Sequence, residues 1–249
     1  MSAPSAFLAV DWGTTNRRVF RFEGGAVAHT ERDDRGAASV TDFAGEVASI
    51  RERFGDLPML LAGMVGSTVG WRVVPYVAVP AGIDELVAGL DWIDDRTAIV
   101  PGVSCSAGGR ADVMRGEEVQ LLGAVAGWMV PPDALLAQPG THCKWATMTD
   151  GRISGFATAM TGELFALLRG HSLLAGALTA DVTDGEAFRE GLAEGARRDL
   201  AGEVGDRRGA AVVTLGMRDR AVLETEHAPV GRAPVDGEKG GRRAHHQVA

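Results

Sequence analysis

Short continuous apolar runs alternate along this chain with apolar sets at helical spacing, and polar turns separate them. Residues 7–10 (Phe-Leu-Ala-Val) form a run of strand length, and residues 19–22 resume an extended pattern after a polar turn. Between Thr41 and Gly55, the residues Phe43, Val47, Ile50 and Phe54 recur at the period of a helix, with Thr41 or Asp42 as the predicted cap and Gly55 as the stop. Residues 58–62 read as a short buried strand, and the glycine-rich loop from Gly63 to Gly70 follows where parallel sheets usually place their ligands. A brief helix over 83–87, a strand over 97–100 and a longer helix from Glu117 to Met129 complete this half. The longer helix would carry Val119, Leu121, Leu122, Val125 and Trp128, and Pro131 with Pro132 would break the chain after it. Strands alternating with helices predict the α/β class.

Past those prolines the opening pattern returns. Residues 135–138 approach as a strand, residues 139–142 (Pro-Gly-Thr-His) form a turn with a glycine and a hydroxyl, and residues 144–148 run back to a second turn at Asp150-Gly151. Residues 153–156 complete a meander. Taken alone, Pro-Gly-Thr-His reads as a plain surface turn. Paired with the first polar turn one domain's length earlier, it suggests two related lobes that grip a nucleotide between them.

Charge and composition narrow the function classes. A formal charge of −8 with 45% hydrophobic residues describes a globular chain of one large or two modest domains, and argues against nonspecific nucleic-acid binding. The two cysteines, Cys105 and Cys143, have neither metal-ligand spacing nor a disulfide framework, which favours a reducing compartment. With no secretory pattern at the start and no apolar run of membrane-spanning length, cytoplasmic residence without membrane attachment is expected.

The first polar turn holds the candidate chemistry. In Asp11-Trp-Gly-Thr-Thr-Asn-Arg-Arg18 a carboxylate stands at a strand end before a tight, hydroxyl-rich turn. Gly13 lets the backbone approach a ligand, and Thr14 and Thr15 add hydroxyls beside exposed N–H groups, so an anion fits and Asp11 could hold its magnesium through water. An ordinary hairpin turn is the competing reading.

Five blocks in order carry a resemblance: residues 11–18; Gly63-Met-Val-Gly-Ser67 with Gly70-Trp71 and Pro75-Tyr76; residues 112–118 with Gln120; residues 139–142 with Lys144-Trp145; and Met160-Thr-Gly-Glu-Leu-Phe165. Over residues 6 to roughly 200 the chain resembles the 2-dehydro-3-deoxygalactonokinase family, sugar-acid kinases with the ribonuclease H-like, two-lobe fold of the actin, hexokinase and Hsp70 type. The resemblance implies transfer of the ATP γ-phosphoryl group to the 6-hydroxyl of 2-dehydro-3-deoxy-D-galactonate, with Mg²⁺, in D-galactonate catabolism.

It also implies roles. Asp11 would organise magnesium; Gly13, Thr14 and Thr15 would face the γ-phosphate; Gly140 and Thr141 would hold the phosphates from the opposite lobe, with His142 and Lys144 adding donors or charge. Glu117 is the first choice for the base, with Glu118 and Asp112 as competitors, since any of them could instead complement the helix dipole. For the acid's carboxylate, Arg17, Arg18, Arg72 and Arg115 lie in or beside the blocks, with Arg18 and Arg72 preferred. Gly66, Ser67 and Trp71 would line the sugar site, although Trp71 fits burial in a core as well. Thr68 and Cys143 depart from the family pattern, which carries a longer side chain and a serine there.

The resemblance fades after residues 197–200. Residues 201–249 are rich in Gly, Arg and His with one apolar run, 210–215, and are expected to be largely disordered, a change of character that a frameshift would explain. The expected organisation is a sugar-acid lobe over 1–132, the start of a nucleotide-gripping lobe over 133–200, and a divergent tail over 201–249. Poor ATP affinity and pairing with a second copy through exposed apolar surface follow as further expectations. Two other readings compete with an active kinase: a remnant that binds a sugar acid without turning it over, and a kinase for a different sugar acid.

Overall fold

The computed structural model describes residues 5–107, 110–181, 183, 185–186, 189–190 and 212–214. The chain opens with three strands, β1 (Ala6–Trp12), β2 (Arg17–Glu23) and β3 (Ala26–Asp33), followed by helix α1 (Phe43–Phe54) and strand β4 (Met59–Gly63). Next come β5 (Val77–Ala78), α2 (Ile83–Ala88), β6 (Asp91–Trp92) and β7 (Thr97–Ile99), then the hairpin β8 (Val103–Ala107) and β9 (Arg110–Met114). Helix α3 (Glu117–Ala126) leads to β10 (Ala134–Gln138), β11 (Cys143–Thr149), β12 (Arg152–Ala159), α4 (Thr161–His171) and, far along the chain, β13 (Val212–Thr214).

The first sheet is ordered β3-β2-β1-β4-β7-β6 and the second β12-β11-β10-β13. Each has a strand with an antiparallel hairpin partner on one side and a parallel neighbour on the other: β1 between β2 and β4, β10 between β11 and β13. The repeated order is the two-lobe, ribonuclease H-like arrangement implied by the resemblance. Each lobe has its own core. Leu8, Val10, Trp12, Ile50, Leu61 and Ile99 centre the first, while Leu121, Leu122, Leu136, Met148 and Ile153 centre the second. Helix α3 therefore starts beside the first sheet and buries its apolar face in the second core.

Local signals explain most boundaries. The Asp42 side chain accepts the Gly45 N–H at 2.9 Å and caps α1, and Gly55 ends it at φ 103. Helix α3 stops at Ala126, short of the expected Met129, because Trp128 adopts φ 57 and lies 89% exposed instead of on the buried face. Helix α4 buries none of its residues, and Leu164, Phe165, Leu167 and Leu168 are exposed. The expectation for residues 201–249 falls outside the described residues except at Val212–Thr214, where Leu135↔Val212 begins a parallel pairing with β10.

One buried charge organises the first hairpin. Trp12, Arg17 and Asp33 stand opposite one another across β1, β2 and β3. Arg17 is 1% exposed, its Nη2 is 2.6 Å from Asp33 Oδ2, its Nη1 is 2.8 Å from Glu46 Oε2, and its guanidinium lies 5.0 Å from the Trp12 ring centroid. Burial opposes the charged guanidinium, yet hydrogen bonds and charge attraction from Asp33 and Glu46 outweigh it, so Arg17 holds its proton more firmly than usual. Burial likewise pushes Asp33 upward, but the Arg17 and Arg35 hydrogen bonds prevail and hold it below its usual range. Removing the cation leaves Asp33 without its charged partner and Glu46 with Arg35 alone, so Arg17→Ala is expected to cost about 3 kcal/mol by urea unfolding at neutral pH. Because Asp33 titrates low, part of that difference should vanish as pH falls below the ordinary carboxylate range; a difference that stays small at neutral pH would refute the clamp.

Candidate active site

The turn between β1 and β2 is folded so that its donors and acceptors part company. The Gly13 N–H bonds to the Asn16 carbonyl at 2.9 Å, while the carbonyls of Gly13, Thr14 and Thr15 accept from the N–H groups of Ala37, Ala38 and Gly36 at 2.9, 3.1 and 3.3 Å. In a trans peptide the N–H points opposite to its carbonyl, so the N–H groups of Thr14, Thr15 and Asn16 turn away from residues 36–38. Those of Thr14 and Thr15 have no acceptor among the described residues. Gly36 permits this backing, since a Cβ there would lie 2.3 Å from the Thr14 carbonyl oxygen. The result is a concavity whose open side is lined by backbone N–H groups, a polarity that suits an anion.

The second loop, 139–142, sits on the start of α4. The Thr141 carbonyl accepts the Glu163 N–H at 3.0 Å, and a Cβ on Gly162 would lie 2.3 Å from the Gly140 carbonyl oxygen. His142 Nε2 is 2.6 Å from Glu163 Oε2. Both loops line one cleft of about 480 Å³ between the lobes, together with Asp11, Arg18, Arg115, Glu117, Gln120 and Gln138. The two threonine-bearing turns therefore face a shared space, as the sequence pairing implies.

Three strand and helix ends converge behind that space. Gly63 ends β4 at φ 92 and Gly116 precedes α3 at φ 108, and a Cβ on Gly116 would stand 3.2 Å from the Gly63 Cα and 3.9 Å from Asp11 Oδ1. Asp11 and Arg18 are opposite each other in the β1–β2 ladder and form an ion pair at 2.5 Å. Arg32 continues the row on β3.

The three acidic candidates separate by environment. Glu117 lines the cleft, and its Oε2 accepts the Arg115 N–H at 3.0 Å. Glu118 is fully buried beneath it, with both carboxyl oxygens 2.7–2.8 Å from the Gly116 nitrogen, and burial pushes its pKa up to about 8. Asp112 lies outside the cleft lining and accepts the Thr158 N–H at 2.6 Å and hydroxyl at 2.7 Å. Lys144 is also outside it: buried, it donates to the Val113 carbonyl at 2.8 Å and to Thr158 Oγ1 at 2.7 Å, so with Asp112 it ties β9 to the second sheet.

Of the residues expected to hold the sugar acid, Arg18 and Arg115 line the cleft, while Arg17 is buried with Asp33 and Glu46. Gly66 is buried, with Arg115 Nη1 2.8 Å from where its Cβ would be, and Ser67 Oγ donates to the Met64 carbonyl at 2.7 Å. Trp71 stacks on Phe43 with ring centroids 6.2 Å apart, and Arg72 pairs with Asp91 at 3.2 Å. Packing and a local ion pair claim these side chains instead. Sequence reasoning gave no role to Arg32, Gln120 or Gln138, although Gln138 Nε2 donates to Gln120 Oε1 at 2.8 Å and ties the end of β10 to α3. A polar residue closing an apolar strand was the available signal for Gln138. For Arg32 the signal is only its register.

Comparison with known proteins gives one consistent answer. The family model described as 2-keto-3-deoxy-galactonokinase matches residues 11–221. The 2-dehydro-3-deoxygalactonokinase of Escherichia coli (strain K12) is 37% identical over 193 residues, which cover 76% of this chain and 65% of that protein. The chain thus spans just under two-thirds of that relative's length. A crystal structure from Sinorhizobium meliloti, assigned to the same kinase family, matches at 34% identity with a TM-score of 0.71, covering 78% of this chain and 68% of its own.

Glu118 makes the pH dependence of stability testable. The folded chain keeps the Glu118 proton up to about pH 8, whereas the unfolded chain releases it near 4.5, so over that window the unfolded state binds fewer protons. The residue's contribution therefore falls as pH rises and levels off above the folded value, with a limiting slope of about 1.4 kcal/mol per pH unit. Glu118→Gln should remove that slope, its advantage over the parent in urea midpoint growing from mildly acidic to mildly alkaline pH. Parallel profiles for the two proteins would rule out a buried, proton-retaining Glu118.

Proposed function

The chain belongs to the 2-keto-3-deoxy-galactonokinase family, and on that premise we propose that it transfers the γ-phosphoryl group of ATP to the 6-hydroxyl of 2-dehydro-3-deoxy-D-galactonate. The observation that carries the proposal is the shared cleft, in which two threonine-bearing turns from opposite lobes flank Asp11 and Glu117. Phosphoryl transfer demands positioning and charge stabilisation above all. The N–H groups of Thr14 and Thr15 receive the terminal phosphate on one side, and Gly140 with Thr141 closes on it from the other.

Among the described residues no group of three or more His, Cys, Asp or Glu could hold a metal, which fits a cation that takes one carboxylate, several waters and the substrate's phosphates. Asp11 is the residue that would hold Mg²⁺, and the ion would supply neutralisation of the phosphate charge. Arg18 fixes the Asp11 carboxylate through their ion pair. Glu117, held by the Arg115 N–H, accepts the proton of the attacking hydroxyl. Glu118, protonated at neutral pH, adds no second negative charge beside it. On this reading ATP is the donor and the chain works in the cytoplasm.

A coupled ADP-release assay over a panel of sugar acids tests the reading. Turnover is expected with 2-dehydro-3-deoxygalactonate, and Glu117→Gln should lower kcat by roughly 10²- to 10⁴-fold with little change in sugar KM. Asp112→Asn should cost stability while sparing kcat. Normal turnover by Glu117→Gln combined with a dead Asp112→Asn would overturn the base assignment, and silence of the parent across the panel with sugar binding retained would favour a binding protein.

A further inference from the structure

Arg18, His142 and Arg115, which line the cleft, each have a partner, although the buried Nε and Nη1 of Arg115 have none among the described residues. Arg18 pairs with Asp11 at 2.5 Å, His142 meets Glu163 at 2.6 Å, and Arg115 lies 4.3 Å from the Tyr76 ring centroid with Nη2 donating to the Val74 carbonyl at 2.8 Å. Nearby arginines outside the cleft also have carboxylates: Arg17 has Asp33 and Glu46, Arg35 has Glu46, and Arg53 has Glu31. Arg32 differs. It lines the cleft, it is exposed, and among the described residues its guanidinium has neither an ion pair nor a hydrogen-bond partner.

Its register sharpens the point. Asp11, Arg18 and Arg32 stand opposite one another on β1, β2 and β3, so they share one face of the sheet. Asp11 neutralises Arg18, which leaves the row's remaining positive charge at Arg32. Like charges directly opposed across a ladder are destabilising, and no described carboxylate offsets this pair's outer member. An anionic ligand in the cleft would.

We infer that Arg32 is an anion-binding residue of this site, whose guanidinium receives an anionic oxygen group of a bound substrate, either the carboxylate of the acceptor acid or a phosphate of the nucleotide. The inference rests on the kinase reading for the identity of those two ligands. Two strand spacings, roughly 10 Å, separate β3 from β1, so Arg32 addresses a part of the ligand away from the reaction centre at Asp11 and Glu117. It acts on affinity and leaves the proton transfer alone.

Calorimetric titration of the full chain and of its Arg32→Gln and Arg32→Lys variants, once with the sugar acid and once with magnesium and ATP, tests this without requiring turnover. Arg32→Gln is expected to weaken one of the two ligands by roughly 10- to 100-fold, the scale of a charge-assisted contact. Arg32→Lys should recover part of the loss, with both variants folded by circular dichroism. Weakened sugar-acid binding, with binding of its neutral amide unaffected by the substitution, assigns the carboxylate; weakened ATP binding assigns the phosphate. Unchanged affinity for both ligands overturns the inference. A parent chain that binds both but never turns over sinks the kinase reading and leaves Arg32 to be decided by the affinities, while one that binds neither overturns both.

Discussion

The Arg17 guanidinium, sealed between β1, β3 and α1, holds the hairpin whose turn forms half of the cleft. Arg17 and Arg18 are neighbours in sequence and carry the same charge, but a strand sends them to opposite faces. One is buried under Trp12 with two carboxylates; the other reaches the cleft and meets Asp11. Because Trp12–Arg17–Asp33 and Asp11–Arg18–Arg32 are consecutive rows of one ladder, the buried ion cluster fixes the register in which the cleft-facing row is presented. A slip of one residue would exchange the two faces, and the core would then hold a different set of charges without their partners.

A second division of labour occurs at the start of α3. Glu117 and Glu118 are adjacent, yet only the first lines the cleft, while the second is enclosed and bonds back to the Gly116 N–H. The positive φ at Gly63 and Gly116 lets β4 and α3 end within van der Waals reach of each other, close to Asp11. Packing then places α3's apolar face in the second core, so the element carrying Glu117 belongs mechanically to both lobes.

Much of the fold was legible because its buried elements are periodic. The spacing of Phe43, Val47, Ile50 and Phe54 anticipated α1, and all four are buried. The repeated strand–turn–strand pattern anticipated the matching sheet orders, and both threonine turns line one cleft. What escaped was decided by tertiary contacts. Strand β3 is mostly exposed and polar, and β9 reads Arg-Ala-Asp-Val-Met with little alternation, so neither offers a hydrophobic signal. The extent of α3 was overstated because Trp128 extends the apolar period, whereas its positive φ ends the helix. At the site, arginines are indistinguishable in sequence until their partners are known: Arg72 is held by Asp91, and Arg32 by no described residue.

The backing of the first turn by residues 36–38 also bears on the polarity of the cleft. With the carbonyls of Gly13, Thr14 and Thr15 turned to the rear, the turn's backbone presents N–H groups to the open side. Acceptors there come from side chains, Asp11 above all, which already holds the Arg18 guanidinium. The backbone's share of that polarity rests on peptide dipoles that no change of pH can titrate away.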